Sequence, residues 1–291
     1  MQNTFFEINS LKNSYIINTK VNKIYKKPKL SLVGAGPGDI GLVTINCLQT
    51  LRSADVILYD KLANTDLLDF ASLESEKIYV GKSPGNHCMK QSAINELIVK
   101  KALAYGHVAR LKGGDPFIFG RGYEEMVAAK AAGIEVEVVP GVSSSIGLAG
   151  LKQIPLTARG YSESIWITTG TTQTGAISKD IYLAAKSNST IVILMGMHRF
   201  EKIVAIFLEE NKQSMPVAVI QNGSLPDEKI AIGTISTILT EVKEKKIKSP
   251  AIIIIGEVVN LNYAEQLSSS IPAGRPEDYI NYQNDIFPAK F

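Results

Sequence analysis

The chain has 291 residues, 45% of them hydrophobic and 20% charged, which is typical of a globular protein with room for one large or two medium domains. Its formal net charge of +3 is too small to indicate binding to nucleic acid or to a membrane surface. No apolar run approaches the roughly 20 residues of a membrane helix, and the two cysteines lack metal-ligand spacing, which favours a reducing compartment, the cytoplasm.

The first part of the chain predicts an α/β domain. Residues 1–28 are rich in Asn and Lys without the apolar core of a secretory signal, so we expect a flexible extension. Apolar strands then alternate with helices over 29–155, which predicts a parallel sheet. The predicted strands are 29–33, 55–59, 77–80, 107–111 and 135–139. The predicted helices are 42–53, 91–104 and 122–132.

A second α/β domain is predicted over 156–263. Residues 140–159 are rich in Gly, Ser and Pro and are expected to carry the joint between the domains. Predicted strands follow at 165–169, 190–194, 217–220 and 251–255, with helices at 200–209 and 235–245. Residues 229–233 are expected to add an antiparallel strand, so this sheet is mixed, and 264–291 is expected to be a peripheral tail.

The segment 112–122, KGGDPFIFGRG, is the strongest candidate for a binding loop. Glycine lets the backbone approach a ligand closely, while Pro116 stiffens the bend and moves Asp115 out of the helical region. A plain surface turn has no use for three successive apolar residues, so we expect 117–119 to form a wall beside polar contacts from Asp115 and the backbone. An ordinary glycine-rich connection between a strand and a helix is the alternative.

Sharp loops follow predicted strands in both halves of the chain. Ligands of open α/β sheets bind beyond the carboxyl ends of strands, so we expect the site in a cleft between the two domains. The loops are 34–39, 60, 82, 113–122, 140–145, 195–196 and 222–223.

The first loop resembles a dinucleotide-binding turn only weakly. Gly34 and Gly36 follow a strand, and Asp55 stands where a ribose-binding acid is expected. However, Asp39 occupies the last position of that pattern, where a carboxylate would repel pyrophosphate. A nicotinamide oxidoreductase and a non-enzymatic cofactor-binding module therefore remain alternatives. Phosphate-loop, metal-site and nucleophile-elbow motifs are not found in the sequence, and its three histidines are scattered.

Taken in order, these motifs resemble those of the tetrapyrrole methyltransferases that use S-adenosylmethionine, over roughly 29–261. The resemblance rests on VGAGPGD at 33–39, YDKL at 59–62, GK at 81–82, RLKGGDPFIFGRG at 110–122, VPGVSS at 139–144, IPLT at 154–157 and NG at 222–223. It implies two α/β domains with the cofactor in the cleft between them, in a homodimer.

The resemblance also implies roles for individual residues. The positions that match S-adenosylmethionine contacts are Pro37, Gly113, Gly114, Asp115, Ile118, Ser143, Ser144, Met195 and Gly223. Asp60 matches a proposed proton acceptor and Lys82 a proposed proton donor. On spacing alone, a turn cap for Asp60 and a surface cation for Lys82 are the alternatives.

The implied reaction moves two methyl groups to carbons 2 and 7 of uroporphyrinogen III and gives precorrin-2, for siroheme or cobalamin synthesis. A methyltransferase acting on a later corrinoid precursor is the alternative. Arg121 and Arg159 are the expected anchors for substrate carboxylates, ahead of Lys61, Lys82 and Lys112. Residues 1–28 are too short for the dehydrogenase and ferrochelatase module of some members, so we expect methylation only.

Overall fold

The structure, a computed structural model, describes residues 26–81 and 89–262. The predicted tail 264–291 and the predicted extension, except for residues 26–28, lie outside the described residues, as does Lys82. Within the described ranges, no helix is both long enough and apolar enough to cross a membrane.

The first sheet has five parallel strands, as predicted. They are β1 (Lys29–Gly34), β2 (Val56–Tyr59), β3 (Glu76–Tyr79), β4 (His107–Lys112) and β5 (Glu135–Val139). Their spatial order is β3-β2-β4-β1-β5, so β1 and β4 lie at the centre. Both faces of these central strands are covered, which explains their nearly continuous burial.

Three helices pack on the first sheet: α1 (Ile45–Ser53), α2 (Gln91–Tyr105) and α3 (Gly122–Ala131). Helix α1 begins at Ile45 rather than at the predicted residue 42. The reason is local capping, because the Thr44 side chain accepts a hydrogen bond from the backbone N–H of Cys47. The residues before it form a separate 3₁₀ helix, Ile40–Leu42, capped by Asp39.

The second sheet is mixed. Its strands are β6 (Ile165–Thr169), β7 (Thr190–Leu194), β8 (Pro216–Gln221), β9 (Lys229–Thr234) and β10 (Ala251–Ile255). They are ordered β6-β7-β10-β8-β9. The antiparallel pairing of β9 with β8 confirms the prediction. Strand β10 is antiparallel to both neighbours, which its uniform apolar run does not reveal.

Four further α-helices lie in the described part of the chain: α4 (Ser144–Leu151), α5 (Lys179–Lys186), α6 (Phe200–Glu209) and α7 (Ile238–Glu244). Helix α6 matches its prediction, whereas α5 was not predicted. Helix α4, which was not predicted, lies within 140–159, the segment expected to carry the joint between the domains. Its Leu148 and Ala149 pack into the apolar core of the second sheet, so the segment is part of a buried layer. The domain boundary at residue 155 stays a prediction.

Candidate functional site

A cavity of about 690 Å³ lies between the two sheets, at the carboxyl ends of β1, β2 and β4. All of the predicted cofactor-binding residues line it, and so do Asp60 and Arg121. Arg159 does not line it, because its exposed side chain lies on a short turn bridged by Ala158 and Ser162. Lys82 lies outside the described residues, so its predicted role stays a prediction.

Glycines let the loops after β1, β4 and β5 meet at one edge of the cavity. Gly36 and Gly114 pair through two backbone hydrogen bonds of 3.2 and 2.7 Å. A Cβ atom on Gly34 would lie 2.5 Å from the Cα of Gly141 and 2.7 Å from the carbonyl oxygen of Gly114. Only a residue without a side chain fits there, so this contact sets the shape of the binding loop.

Asp115 stabilises this meeting of loops. One oxygen of its carboxylate accepts a hydrogen bond of 2.8 Å from the Phe117 N–H, and the other accepts one of 3.1 Å from the Gly141 N–H. Its carboxylate was expected to contact a ligand, and it lines the cavity. The observed bonds add a second role, because they hold the backbone N–H groups of two loops in place.

The apolar wall is smaller than predicted. Ile118 and Phe119 line the cavity, but Phe117 does not and is about half exposed. The physical reason is the tight turn at Gly122, where the ring of Phe117 covers the first residue of α3. Leu148 and Ile220 add apolar surface to the cavity that the sequence analysis did not predict.

Left-handed backbone at residues other than glycine is concentrated around the cavity. Such conformations are costly and cluster at functional sites. Four of the residues that line the cavity adopt them: Phe119, Arg121, Met195 and Asn222, with φ of 54°, 60°, 54° and 47°. Next to them, the hydroxyl of Ser224 accepts a 3.0 Å hydrogen bond from the Asp39 N–H, which joins the first loop to the second half of the chain.

Asp60 follows β2 and both caps a turn and forms an ion pair. Its Oδ1 accepts a 3.1 Å hydrogen bond from the Leu62 N–H, so the capping alternative is observed. Its Oδ2 accepts one of 3.0 Å from Nη2 of Arg110. The carboxylate is therefore held in one orientation at the cavity wall, with about a quarter of the side chain exposed.

Beneath Asp60 lies a buried group of charged side chains. Arg110 and Lys112 are two residues apart on β4 and therefore point to the same face. Both donate 3.0 Å hydrogen bonds to Oε1 of Glu125 on α3. Burial, and then the charge of Arg110, lower the pKa of Lys112, while Glu125 raises it. Arg110 therefore forms ion pairs inside the protein, with Asp60 and with Glu125.

Arg121 occupies the rim of the cavity as a half-exposed cation. Its Nε and Nη2 each donate a 2.7 Å hydrogen bond to the carboxylate of Glu124, three residues along the chain. This two-pronged pair raises the pKa of Arg121 and lowers the pKa of Glu124. The expected substrate anchor therefore already holds a carboxylate from its own chain.

Sequence reasoning missed three polar residues of the site. Gln91 begins α2, and Asp227 accepts a 2.7 Å hydrogen bond from the Asn222 side chain; both line the cavity. Glu125 lies behind Gln91, whose side-chain amide donates a 3.2 Å hydrogen bond to it. A signal for Glu125 was present, because its position repeats the spacing of Gly122 and Ala129 on the buried side of α3.

A cavity of this size, with apolar walls and backbone exposed by glycines, defines an α/β protein that binds a medium-sized small molecule. Among the described residues there is no group of His, Cys, Asp or Glu side chains suited to hold a metal ion. Residues 29–239 match the sequence model of the family described as Tetrapyrrole (Corrin/Porphyrin) Methylases.

Individual relatives agree with the family match. The chain is 44% identical over 264 residues to the siroheme synthase of Blochmanniella pennsylvanica, covering 88% of this chain and 54% of that one. It is 44% identical over 238 residues to the uroporphyrinogen-III C-methyltransferase of Priestia megaterium, covering 80% of this chain and 99% of that one. The chain thus spans about half the length of the siroheme synthases that it matches.

A solved structure has the same fold. It is the uroporphyrin-III C-methyl transferase of Thermus thermophilus complexed with S-adenyl homocysteine, with 35% identity and a TM-score of 0.70. The match covers 80% of this chain and 99% of that one. The chain belongs to the tetrapyrrole methylase family, which confirms the resemblance and the predicted fold class.

Proposed function

We propose that the chain transfers methyl groups from S-adenosylmethionine to carbons 2 and 7 of uroporphyrinogen III, giving precorrin-2. The observation that carries the proposal is that residues far apart in the sequence line the same cavity. All nine residues expected to bind the cofactor, together with Asp60, line one cavity between the sheets although they are spread over 187 positions, from 37 to 223. Relatives named uroporphyrinogen-III C-methyltransferase support the substrate and the reaction class.

The residues of the cavity fit this cofactor. Gly113, Gly114 and Gly223 allow close approach of backbone groups to its amino-acid and ribose parts. Ile118 and Met195 offer apolar and polarisable surface for adenine and the thioether. The bound cofactor supplies a sulfonium with a transferable methyl group, and the relative from Thermus thermophilus is described in complex with the demethylated form.

The chain would contribute alignment and a proton acceptor. A pyrrole carbon of the substrate is electron-rich and can attack the methyl group directly, with S-adenosylhomocysteine as the leaving group. The protein therefore has to hold the attacking carbon, the methyl carbon and the sulfur in line. A proton must then leave the methylated macrocycle. Asp60 lies at the cavity wall with its carboxylate fixed by Arg110, and we assign it the role of proton acceptor.

Cations at the rim would hold the carboxylates of the substrate. Lys61 and Arg121 line the cavity and are exposed, whereas Arg110 and Lys112 are already paired inside the protein. Arg121 is therefore the preferred anchor. Arg159 lies outside the cavity and could serve only a part of the substrate that extends beyond it.

The test is the mass of the product formed from uroporphyrinogen III and S-adenosylmethionine. We expect a gain of two methyl groups, inhibited by S-adenosylhomocysteine. Methylation of a later corrinoid precursor, with uroporphyrinogen III left unchanged, would favour the alternative substrate. Calorimetry with S-adenosylhomocysteine and NAD addresses the reaction class, since binding of NAD alone would indicate a nicotinamide oxidoreductase.

We further propose that the chain forms two domains, 29–155 and 156–263, and acts as a homodimer in the cytoplasm. Each sheet is built from consecutive strands, which supports the two domains. Cys47 is a free, buried cysteine whose pKa burial raises to about 11, so it is compatible with a reducing compartment. Light scattering measures the mass in solution, and a monomer at micromolar concentration would contradict the homodimer.

A further inference from the structure

The buried carboxylate of Glu125 has no assigned role in the proposed reaction, although its partners reach the cavity. Its side chain has 0% exposure. Oε1 accepts hydrogen bonds from Nε of Arg110 and Nζ of Lys112, both 3.0 Å, and from Nε2 of Gln91, at 3.2 Å. Oε2 is buried without a hydrogen-bond partner among the described residues. A buried charge held in this way is costly unless it is well paired.

A chain of hydrogen bonds connects Glu125 on α3 with Asp60 at the cavity wall. Glu125 contacts the Nε end of the Arg110 side chain, and the other end, Nη2, contacts Oδ2 of Asp60. Between them, Nη1 of Arg110 donates to the carbonyl oxygens of Leu58 and Leu111, at 3.4 and 2.8 Å. Asp60 is thus fixed by a guanidinium group that is itself fixed by Glu125.

The charges of the four ionisable groups cancel. Two cations, Arg110 and Lys112, lie between two carboxylates, Asp60 and Glu125. The side chains of Arg110, Lys112 and Glu125 are almost fully buried, whereas that of Asp60 is 26% exposed at the cavity wall. Without the charge of Glu125, two neighbouring buried cations would face one carboxylate. Arg110, and with it the Asp60 carboxylate that it holds, would then have to rearrange, because the excess charge lies on side chains that are almost fully buried.

We propose that Glu125 is a positioning residue for methyl transfer, which acts through Arg110 to orient the carboxylate of Asp60. This role depends on the proposed function, in which Asp60 accepts the proton. Glu125 itself need not touch the cofactor or the substrate, since Arg110 and Lys112 stand between it and the cavity. The loss of its charge should therefore affect kcat and leave binding of the cofactor nearly unchanged.

The experiment compares Glu125→Gln, which keeps the shape and removes the charge, with Glu125→Asp, which keeps the charge. A misplacement of a reacting group by about 1 Å can cost roughly 10²-fold in rate, so we expect kcat of Glu125→Gln to fall by about that factor. Its Kd for S-adenosylhomocysteine should stay within about 3-fold of the wild-type value, and Glu125→Asp should recover part of the rate. Glu96→Gln, on the exposed side of α2, is the matched control.

A double-mutant cycle that combines Glu125→Gln with Asp60→Asn distinguishes positioning of the Asp60 carboxylate from a general structural role of Glu125. If Glu125 acts through Asp60, Glu125→Gln should cost less than about 3-fold in single-turnover rate when Asp60 is already replaced. Equal losses in both backgrounds, or wild-type kcat in Glu125→Gln, would overturn the proposal. If Glu125→Gln does not fold, the same cycle is run with Glu125→Asp. A wild-type protein without turnover would instead reject the proposed function, and this inference with it.

Discussion

At the scale of single residues, the site depends on carboxylates whose neighbours differ. Asp60 is fixed by a buried guanidinium at 3.0 Å, Asp115 by backbone N–H groups, and Glu124 by an exposed arginine. Asp60 and Glu124 therefore differ in how firmly they are held. A carboxylate held by a buried ion pair keeps its orientation, whereas an exposed pair is weak and exchanges easily.

Replacement of Asp60 by Ala should separate binding from turnover. Loss of a general acid or base costs roughly 10²- to 10⁴-fold in rate, and we expect a loss of that size in kcat for methyl transfer. Calorimetry should show that S-adenosylhomocysteine still binds. Turnover equal to the wild type would remove Asp60 from the mechanism, and lost binding would indicate a structural role.

Replacement of Glu124 by Gln should strengthen binding of the substrate. Glu124 accepts hydrogen bonds from both Nε and Nη2 of Arg121, so a substrate carboxylate has to displace it. Exposed pairs contribute only about 0–1 kcal/mol, so KM for the tetrapyrrole should fall by no more than about 5-fold, with kcat unchanged. Arg121→Gln should raise KM. If both variants leave KM unchanged, Arg121 is not an anchor.

At the scale of elements, the site is formed where strands end and glycines bring their loops together. The contact of Gly34 with Gly141 and with the carbonyl oxygen of Gly114 joins the loops after β1, β5 and β4. The amino ends of the central strands are joined by side chains instead. There His107, at the start of β4, contacts the hydroxyl of Ser31 at 2.9 Å, which links neighbouring strands.

Gly34→Ala should disrupt the binding loop. Its new Cβ atom would overlap two backbone atoms that cannot move independently, so we expect Kd for S-adenosylhomocysteine to rise at least about 10-fold, together with a lower Tm. Gly150→Ala is the control, because nothing lies within 4 Å of a Cβ atom at that helical position. Equal Kd values in Gly34→Ala and the wild type would show that the loops are not set by this contact.

His107 should make stability depend on pH near neutrality. Burial is the main cause that lowers the pKa of His107 below its ordinary value of 6.5. Below pH 6.5 the unfolded chain therefore binds more protons than the folded chain, and stability is lost as pH falls through this range. Urea unfolding between pH 7.5 and 5.5 should show this slope in the wild type and in His198→Gln. If His107→Gln keeps the full slope, another group is responsible.

At the scale of the whole molecule, the cavity depends on both halves of the chain. Residues of the first half, such as Gly114 and Ser143, and residues of the second, such as Met195 and Gly223, line the same space. The hydrogen bond from Asp39 to Ser224 joins the halves at its edge. A ligand in this cavity contacts both halves and should stabilise them together.

Binding of S-adenosylhomocysteine should therefore protect both halves against hydrogen exchange. At a concentration of 100 times Kd, a ligand specific for the folded state adds about 2.7 kcal/mol of stability. We expect slower exchange in 113–120 and in 194–196 and 222–225, measured by mass spectrometry. Protection restricted to one half would contradict a site between the sheets.

Much of the fold and the outline of the site follow from the sequence. Apolar strands that alternate with helices predict the parallel first sheet. Helices cover both faces of such a sheet, so its strands are apolar throughout. Because the carboxyl ends of parallel strands share one edge, the loops at Gly36, Asp60 and Gly113 could be placed together in advance. The loops at 195–196 and 222–223 were expected in the same cleft for this reason, and the family resemblance assigned cofactor contacts to Met195 and Gly223 within them.

The tertiary structure alone decided features that depend on residues distant in the chain. A uniformly apolar strand such as β10 has the same sequence pattern whether it is parallel or antiparallel to its neighbours. Its antiparallel direction is therefore known only from the strands that it pairs with. Likewise, Asp60 and Arg110 are 50 positions apart, and only the fold shows that they pair and that Glu125 lies behind them. Local sequence patterns indicate the hydrophobic periodicity of helices and strands and the residues that favour turns. The partner of a buried charge is instead determined by how whole helices and strands pack together.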